Sequence, residues 1–499
     1  MKYLLGIDIG TSGTKALIID EDASVAGGAY REYSIDCPQV GWAEQDPELW
    51  WRAACETANE ALAKSGLAPR QIAAVGLSGQ MHGTVMLDSS RQPLGKSIIW
   101  ADSRSGDEVD ELWRKTGREW LGLLTANPLA AGFMAASLRW VKRHEPDRLQ
   151  QTRHVLLPKD FVRLRLTERI GSDSCDASST LLYDTANDRW SSEMPGLVGI
   201  DPAILPPVGH SCDVAGLLCG QAAEATGLDA GTPVTFGGGD LAMNAVGNGV
   251  VRPGVACANI GTGGQLYVTS DTPAHDPLLR IHTFCHAMQS RWIMSGAVLA
   301  AGLSLKWFRD NVATFAGYDE VTELAAAVEP GCDGLLFLPY LLGDRTPHMD
   351  PHARAVFFGL ALKHDKAAMA RAIMEGVAYA LRDAFEIMKS LGIRFDFVIA
   401  SGGGARSRVW KQIQADIFNR PVRTVLSKEQ AALGAAICAG VGVGIYPSLE
   451  HATDRLVKFS DEIIEPIAAN AARYDELFAV YRSLYDDNKD KFRKLRTGC

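Results

Sequence analysis

The sequence predicts an α/β protein made of two related domains. Short apolar segments that end in polar or glycine-rich loops alternate with helical stretches, which is typical of α/β layers. Two similar loops rich in glycine and threonine, within residues 6–15 and 259–265, each separate an apolar segment from a β-prone one. A chain of 499 residues also has room for two domains. We therefore expect domains at residues 1–248 and 249–499, with a boundary near 245–253.

The elements of the first half follow from apolar segments and helix caps. Residues 3–9 form the first strand candidate. Asp46 and Pro47 mark a helix start, because aspartate caps free N–H groups and proline suits the first helical position. That helix has one apolar or small face, at Trp50, Ala54, Thr57 and Ala61. Further strands are predicted at residues 72–77, 97–100 and 233–236, and a helix at 241–246.

The second half starts again with a strand at residues 255–260. A later strand at residues 396–400 leads into the loop at 401–406, whose glycine run is expected to open the helix that includes 410–418. Near the C-terminus, apolar residues recur at a helical period, at Tyr474, Leu477, Phe478, Tyr481 and Leu484. This stripe is expected to pack on the second domain or on a partner subunit.

The composition is that of an ordinary globular protein, with 47% hydrophobic and 22% charged residues. A net charge of −9 argues against sequence-independent binding to nucleic acid or to an acidic membrane. An anionic ligand is still compatible with this charge, because a pocket of backbone amides is locally positive. We therefore expect a small-molecule ligand rather than a nucleic acid or a membrane.

Cysteine usage and terminal sequence predict a cytoplasmic location. The ten cysteines form no C-x-x-C pair, and Cys257 and Cys438 lie among small or apolar residues, as buried thiols do. That usage favours a reducing compartment. The sequence also shows no signal-peptide pattern and no apolar stretch of about 18 residues that would span a membrane.

The two similar loops predict a phosphate site. Successive N–H groups in a glycine-rich turn form a concave anion site, and glycine lets phosphate oxygens approach closely. Thr11 and Ser12 belong to the first loop, and Gly261 and Thr262 belong to the second. One such loop in each half predicts a single nucleotide held between the two domains.

Asp8 and Lys15 flank the first loop. Aspartate is disfavoured inside an apolar strand, yet Asp8 lies between Ile7 and Ile9. Its carboxylate is expected to hold Mg²⁺, directly or through water, since Mg²⁺ takes one or two carboxylates together with phosphate oxygens. The alternative is a strand-end aspartate that accepts from a turn amide. Lys15 either adds positive charge near the phosphates or is simply solvated.

Asp240 follows three glycines and precedes the helix at 241–246. One interpretation is an N-cap, which aspartate commonly provides. The other is a general base that accepts a proton from a substrate hydroxyl. The preceding glycines would let the backbone approach a ligand closely. From the residues alone, the two interpretations are equally supported.

Three other segments are candidates for ligand contacts. The run of Gly403, Gly404 and Ala405 is a weak signal alone, but it could pack on an adenine and ribose. Met81 and His82 lie in a glycine-flanked loop after a strand, where packing is the more common role. Residues 100–104 offer the groups that bind a sugar, from Trp100, Asp102 and Arg104. The alternative for Asp102 and Arg104 is an exposed local ion pair that adds little stability.

A metal site at His282 and His286 is not favoured. Their i, i+4 spacing would suit a metal only on a helix, whereas residues 280–286 read as a strand that separates the two imidazoles. The sequence also contains no Walker A motif, no G-x-S-x-G motif and no zinc-spaced cysteine set.

Nine motifs, in order, resemble those of the FGGY family of carbohydrate kinases, and are most similar to those of bacterial xylulokinases. They cover residues 3 to about 440: GIDIGTSG (6–13), WAEQDP (42–47), SGQMHG (78–83), LPKD (157–160), GGGD (237–240), FCHA (284–287), RTPH (345–348), VFFGL (356–360) and GGGARS (402–407). The resemblance implies two ribonuclease H-like domains of the actin type with a cleft between them. ATP would lie mainly on the second domain and the sugar mainly on the first.

The resemblance also implies roles for individual residues. Asp240 would be the catalytic base, and Asp8 would help to place Mg²⁺. Met81 and His82 would contact a ketose. Gly261 and Thr262 would contact the phosphates of ATP, and residues 403–405 would contact its adenosine. The reaction implied is phosphorylation of D-xylulose to D-xylulose 5-phosphate, and the family's habit of dimerising implies a homodimer.

Departures from the xylulokinase pattern keep other substrates open. Leu241 stands where Asn is common after the base, which removes a polar contact to a sugar hydroxyl and can shift preference among sugars. Gly263 replaces a usual Ser, and Asp344 replaces a usual Glu. The alternatives are an FGGY kinase for another ketopentose, a polyol or a deoxyketose, and, more distantly, an actin-like ATPase. A sugar sensor without catalysis is disfavoured by the intact Asp8 and Asp240.

Overall fold

The computed structural model describes residues 2–495. The strands of the first half are β1 (Tyr3–Ile9), β2 (Gly13–Asp20), β3 (Val25–Glu32), β4 (Glu44–Gln45), β5 (Ile72–Gly79), β6 (Val85–Leu87), β7 (Ser97–Ile98), β8 (His154–Leu156), β9 (Ser172–Asp173), β10 (Tyr183–Asp184), β11 (Arg189–Trp190), β12 (Val208–Gly209), β13 (Val214–Leu217), β14 (Pro233–Thr235) and β15 (Gly238–Gly239). Its helices are α1 (Pro47–Ser65), α2 (Gly106–Thr125), α3 (Met134–His144), α4 (Pro146–Gln151), α5 (Pro158–Thr167), α6 (Ser174–Ser178), α7 (Met194–Val198), α8 (Gly220–Thr226) and α9 (Asp240–Gly247).

The strands of the second half are β16 (Gly254–Ile260), β17 (Gly264–Ser270), β18 (His282–Cys285), β19 (Trp292–Val298), β20 (Leu336–Leu338), β21 (Val356–Phe358), β22 (Phe395–Ser401) and β23 (Val422–Thr424). Its helices are α10 (Gly302–Asn311), α11 (Tyr318–Ala326), α12 (Lys366–Ser390), α13 (Arg408–Phe418), α14 (Gln430–Gly442), α15 (Leu449–Leu456) and α16 (Ala468–Lys494). Short 3₁₀ turns lie at Pro69–Gln71, Pro202–Ile204, Cys332–Gly334 and Gly403–Arg406.

The two halves repeat one sheet topology. In the first sheet, β1 pairs antiparallel with β2 and parallel with β5, while β3 pairs antiparallel with β2 and β14 pairs parallel with β5. In the second sheet, β16 pairs antiparallel with β17 and parallel with β22, while β19 pairs antiparallel with β17 and β23 pairs parallel with β22. Each sheet has one more strand at one edge, β13 beyond β14 and β18 beyond β19. The prediction of two related α/β domains is therefore confirmed.

Most predicted elements are present, with shifted ends. Asp46 caps α1 by accepting a hydrogen bond from the backbone N–H of Glu48, and the predicted face of α1 is buried. The strand predicted at 97–100 ends at Ile98. The C-terminal stripe on α16 joins the apolar core of the second half, which includes buried residues of β16, β17, α12 and α13. The stripe therefore packs on the second domain rather than on a partner subunit.

Helix α14 joins the two halves. It comes late in the second half, yet it packs against β1, β5 and α9 of the first. Glycines make this close approach, because a Cβ atom on Gly6 would overlap the carbonyl oxygen of Ala432, and one on Gly76 would overlap that of Ala435. The buried core around this contact includes Cys257 and Cys438, as predicted.

No helix within residues 2–495 combines the length and the apolar character needed to cross a bilayer.

We predict that Gly6→Ala destabilises the protein, because the new methyl group has no room beside the backbone of α14. Overpacking of this kind costs about 1–3 kcal/mol, which corresponds to a fall in Tm of roughly 1–3 °C for a chain of 499 residues, measured by calorimetry. Gly220→Ala is the matched control, because a Cβ atom there meets no neighbour and Gly220 is already helical. Equal Tm values for the two variants would contradict the close contact.

Candidate active site

The two predicted phosphate loops are tight turns at equivalent places in the two sheets. The first joins β1 to β2, and the N–H of Gly10 donates to the carbonyl of Gly13 over 3.0 Å. The second joins β16 to β17, and the N–H of Gly261 donates to the carbonyl of Gly263 over 2.9 Å. The predicted strand–turn–strand arrangement is confirmed for both loops.

Hydrogen bonds from neighbouring segments hold each loop in place. In the first, the hydroxyl of Thr11 accepts from Trp100 Nε1 at 2.8 Å, and the carbonyl of Ser12 accepts from the N–H of Tyr33 at 3.1 Å. In the second, the carbonyl of Thr262 accepts from the N–H groups of Ala301 and Leu303 at the start of α10. The side chains of Ser12 and Thr262 are exposed.

Asp8 lies at the mouth of the first loop. Its Oδ1 accepts from the hydroxyl of Ser78 on the neighbouring strand at 2.7 Å. Burial raises the pKa of Asp8, and the hydrogen bond from Ser78 and the charge of Lys15 oppose that rise. Among residues 2–495, no group of three potential ligands could hold a metal by itself. A single carboxylate still fits Mg²⁺, which takes one or two carboxylates together with phosphate oxygens and waters.

Asp240 is the first residue of α9, and Gly239 is the N-cap. The N-cap interpretation of Asp240 is therefore wrong by one position, because the backbone turns into the helix at Gly239. Burial raises the pKa of Asp240 to about 7, and the nearby negative charge of Asp8 adds to this effect. The site thus contains two neighbouring carboxylates, one of which changes protonation near neutral pH.

Met81 and His82 lie beside this acid pair. A Cβ atom on Gly239 would be 2.7 Å from Met81 Cγ, so Met81 packs directly against the start of α9. His82 Nδ1 lies 2.8 Å from the carbonyl of Ser179, and its ring stacks on Phe133 with centres 3.7 Å apart. Burial lowers the pKa of His82 to about 3, so the imidazole is neutral. Because a carbonyl can only accept, Nδ1 carries the proton and Nε2 is left as an acceptor.

The segment at residues 100–104 differs from expectation. Arg104 and Asp102 are buried rather than exposed, with side-chain exposures of 1% and 0%. Asp102 accepts from Arg104 and from the N–H of Ala43, while the guanidinium of Arg104 stacks on Trp42 at 3.5 Å. The alternative of an exposed ion pair is wrong, because Trp42 and Ala43, which are distant in the sequence, contact the pair. A sugar contact from Trp100 or Asp102 stays a prediction.

Lys15 is paired across the two halves. Its Nζ lies 2.6 Å from an oxygen of Glu429, the residue that precedes α14, and both side chains are 40% exposed. Exposed pairs of this kind contribute little stability. Lys15 is therefore neither free nor buried, and its contact with a phosphate stays a prediction.

Residues 403–405 form a 3₁₀ turn beside the second loop. The prediction that this glycine run opens a helix directly is wrong, because α13 starts only at Arg408, where Ser407 caps it. Gly402 has a φ of 74°, a conformation that favours glycine. A Cβ atom on Gly404 would be 2.8 Å from Ile260, the last residue of β16. The turn and the second loop therefore form one continuous surface.

The predicted strand is confirmed as β18, which begins at His282 and ends at Cys285, one residue before His286. His282 Nδ1 lies 3.2 Å from Asn127 Oδ1, and His286 Nε2 lies 2.9 Å from the carbonyl of Val250. Each of the two imidazoles therefore has its own hydrogen-bond partner within the protein.

A buried ionic cluster behind the acid pair was missed from the sequence. Lys159 Nζ lies 2.7 Å from Asp160, 2.5 Å from Asp173 and 3.3 Å from Asp176, and all four side chains are fully buried. Burial alone would lower the pKa of Lys159, but the three carboxylates outweigh it and raise that pKa. A Cβ atom on Gly239 would be 3.3 Å from Asp176 Oδ1. The LPKD motif was the only signal for this cluster.

Arg345 was also missed as a site residue. It comes from the second half, and its guanidinium carbon lies 5.5 Å from the centre of the Phe133 ring. Phe133 is the ring on which His82 stacks. The RTPH motif contains Arg345, but nothing in the sequence indicated a contact with a residue so far away in the chain.

Two family models match this chain. The N-terminal domain of the FGGY family of carbohydrate kinases matches residues 3–247, and its C-terminal domain matches residues 256–443. Xylulose kinase of Bacillus subtilis (strain 168) is 35% identical over 497 residues, which are 100% of this chain and 99% of that protein. Gluconokinase of the same strain is 30% identical over 494 residues, which are 97% of this chain and 95% of that protein.

A solved structure agrees with the family models. The crystal structure of xylulose kinase from Rhodospirillum rubrum matches with a TM-score of 0.92 at 32% identity, covering 99% of this chain and 100% of that chain. The two repeated sheets, the paired loops and these matches give one conclusion. The chain belongs to the FGGY family of carbohydrate kinases, which use ATP to phosphorylate sugars.

Proposed function

We propose that this kinase phosphorylates D-xylulose to D-xylulose 5-phosphate, with Asp240 as the general base. The observation that carries the proposal is the carboxylate at the start of α9, whose pKa is raised to about 7 by burial and by Asp8. A base with a pKa near the working pH is deprotonated often enough to act and still takes a proton readily. Asp240 would accept the proton of the attacking sugar hydroxyl.

The nucleotide would lie between the halves. Thr11 and Ser12 belong to the first loop, which Asp8 on β1 and Lys15 on β2 flank, and Gly261 and Thr262 belong to the second. Residues Gly403, Gly404 and Ala405 would pack on the adenosine. Mg²⁺, held by Asp8, would neutralise phosphate charge, which phosphoryl transfer requires more than covalent help. Lys15 would leave Glu429 for a phosphate oxygen, because its pair with Glu429 is half-exposed and weak.

The sugar would lie beside Met81 and His82. Met81 supplies an apolar wall next to Gly239, and the free Nε2 of His82 accepts from a sugar hydroxyl. Trp100 and Asp102 are more distant candidates for this contact. The two halves would exclude water around the transferred group and so limit ATP hydrolysis.

Support for D-xylulose comes from relatives named xylulose kinase that span nearly the whole chain. A relative named gluconokinase spans it almost as fully, so another sugar is the alternative. Leu241 is 4% exposed and packs in the apolar core around α9 and α14, so it offers no polar contact to a substrate.

Three other expectations stay predictions: the domain boundary between residues 248 and 249, a homodimer and a cytoplasmic location.

We expect Asp240→Asn to lower kcat for sugar phosphorylation by about 10²–10⁴-fold, because the amide cannot accept the hydroxyl proton. ATP affinity, measured by titration calorimetry, should stay within about threefold, because Asp240 is not placed at the nucleotide. Asp229→Asn is the matched control, since Asp229 is exposed in the same half. Near-normal turnover of Asp240→Asn would remove Asp240 from the mechanism.

We also expect kcat/KM to fall at acidic pH. The raised pKa of Asp240 means that its carboxyl is protonated below about pH 7 and cannot act as a base there. The rate should drop about tenfold for each pH unit below that value. Thermal stability measured at each pH separates this effect from unfolding. A flat profile from pH 8 to pH 5 would contradict a base with this pKa.

A further inference from the structure

Arg345 brings a cation from the second half to the sugar side of the first. Its guanidinium carbon lies 5.5 Å from the centre of the Phe133 ring. The same ring stacks on His82 at 3.7 Å and on His282 at 5.7 Å. Arg345 therefore faces the cluster of aromatic rings that includes the proposed ketose contact.

The guanidinium of Arg345 has no polar partner within residues 2–495, neither an ion pair nor a side-chain hydrogen bond. The neighbouring carboxylate of Asp344 is used inside its own loop, where it accepts from the N–H of His348 at 2.8 Å. Burial lowers the pKa of Arg345. A half-buried cation without a partner is costly, which points to an anion or to several acceptor oxygens in the ligand.

The nearby groups do not compensate this charge. His82 and His282 are kept neutral, because burial lowers the pKa of both and the positive charge of Arg345 lowers them further. The ring that Arg345 contacts is Phe133, on which His82 stacks, so Arg345 lies at the His82 end of the proposed sugar site.

We propose that Arg345 binds the end of the substrate opposite the transferred hydroxyl, an inference that rests on the proposed function. The site would therefore also bind five-carbon sugar acids. The carbonyl and terminal hydroxyl of a ketopentose would accept hydrogen bonds from this guanidinium. A pentonate has a carboxylate at the same end of a chain of the same length. Its two oxygens match the paired N–H groups of arginine, which makes a strong charge-assisted contact.

The test compares D-xylonate with xylitol, which has the same carbon chain but no charge. Titration calorimetry on the nucleotide-free protein should show that D-xylonate binds about tenfold more tightly or better. Arg345→Met should reduce D-xylonate to the affinity of xylitol, and Arg345→Lys should keep part of the preference. Arg394→Met is the matched control, because Arg394 is 82% exposed in the same half.

Two results would overturn the inference: equal affinities for D-xylonate and xylitol in the unmodified protein, or an unchanged preference in Arg345→Met. Calorimetry does not depend on catalysis, so the inference stands if the protein binds D-xylonate through Arg345 but fails to phosphorylate D-xylulose. With D-xylulose as the substrate, Arg345→Met should raise KM about tenfold and change kcat by less than about threefold. An unchanged KM would exclude Arg345 as a ketose contact.

Discussion

The contact of α14 with the first sheet and with α9 determines how the two halves meet. Gly6 on β1 and Gly76 on β5 let the backbone of α14 come close, and the same helix packs on α9. Asp8 lies two residues after Gly6 on β1, and Asp240 is the first residue of α9. One helix of the second half thus braces both elements that carry the acid pair.

Electrostatics near the acid pair follow from this packing. Asp240 is buried near Asp8, so burial and repulsion from the Asp8 charge both raise the pKa of Asp240. Behind them, Lys159 holds three buried carboxylates and so limits the negative charge around Gly239. A buried cluster of this kind is weak evidence for stability, and its Asp176 lies close to Gly239, the residue before Asp240.

The sequence predicted the parts of the site that depend on local pattern. Both strand–loop–strand units, Asp8 and the helix after Asp240 are encoded within a few residues, so glycine runs and apolar segments reveal them. Contacts between distant segments were not predictable in this way. Burial of the Asp102–Arg104 pair requires Trp42, and the position of Arg345 requires Phe133, more than two hundred residues earlier. The position of α14 depends on small residues, which favour close packing without indicating a partner.

The most direct measurement is ADP release from Mg²⁺-ATP with a panel of D- and L-ketopentoses, polyols and deoxyketoses. The account predicts strong stimulation by D-xylulose and little ATP turnover without a sugar. Stimulation by a different sugar would keep the family, the base and the nucleotide site and would change the substrate. ADP release that is indifferent to every sugar would contradict the account and would favour an actin-like ATPase.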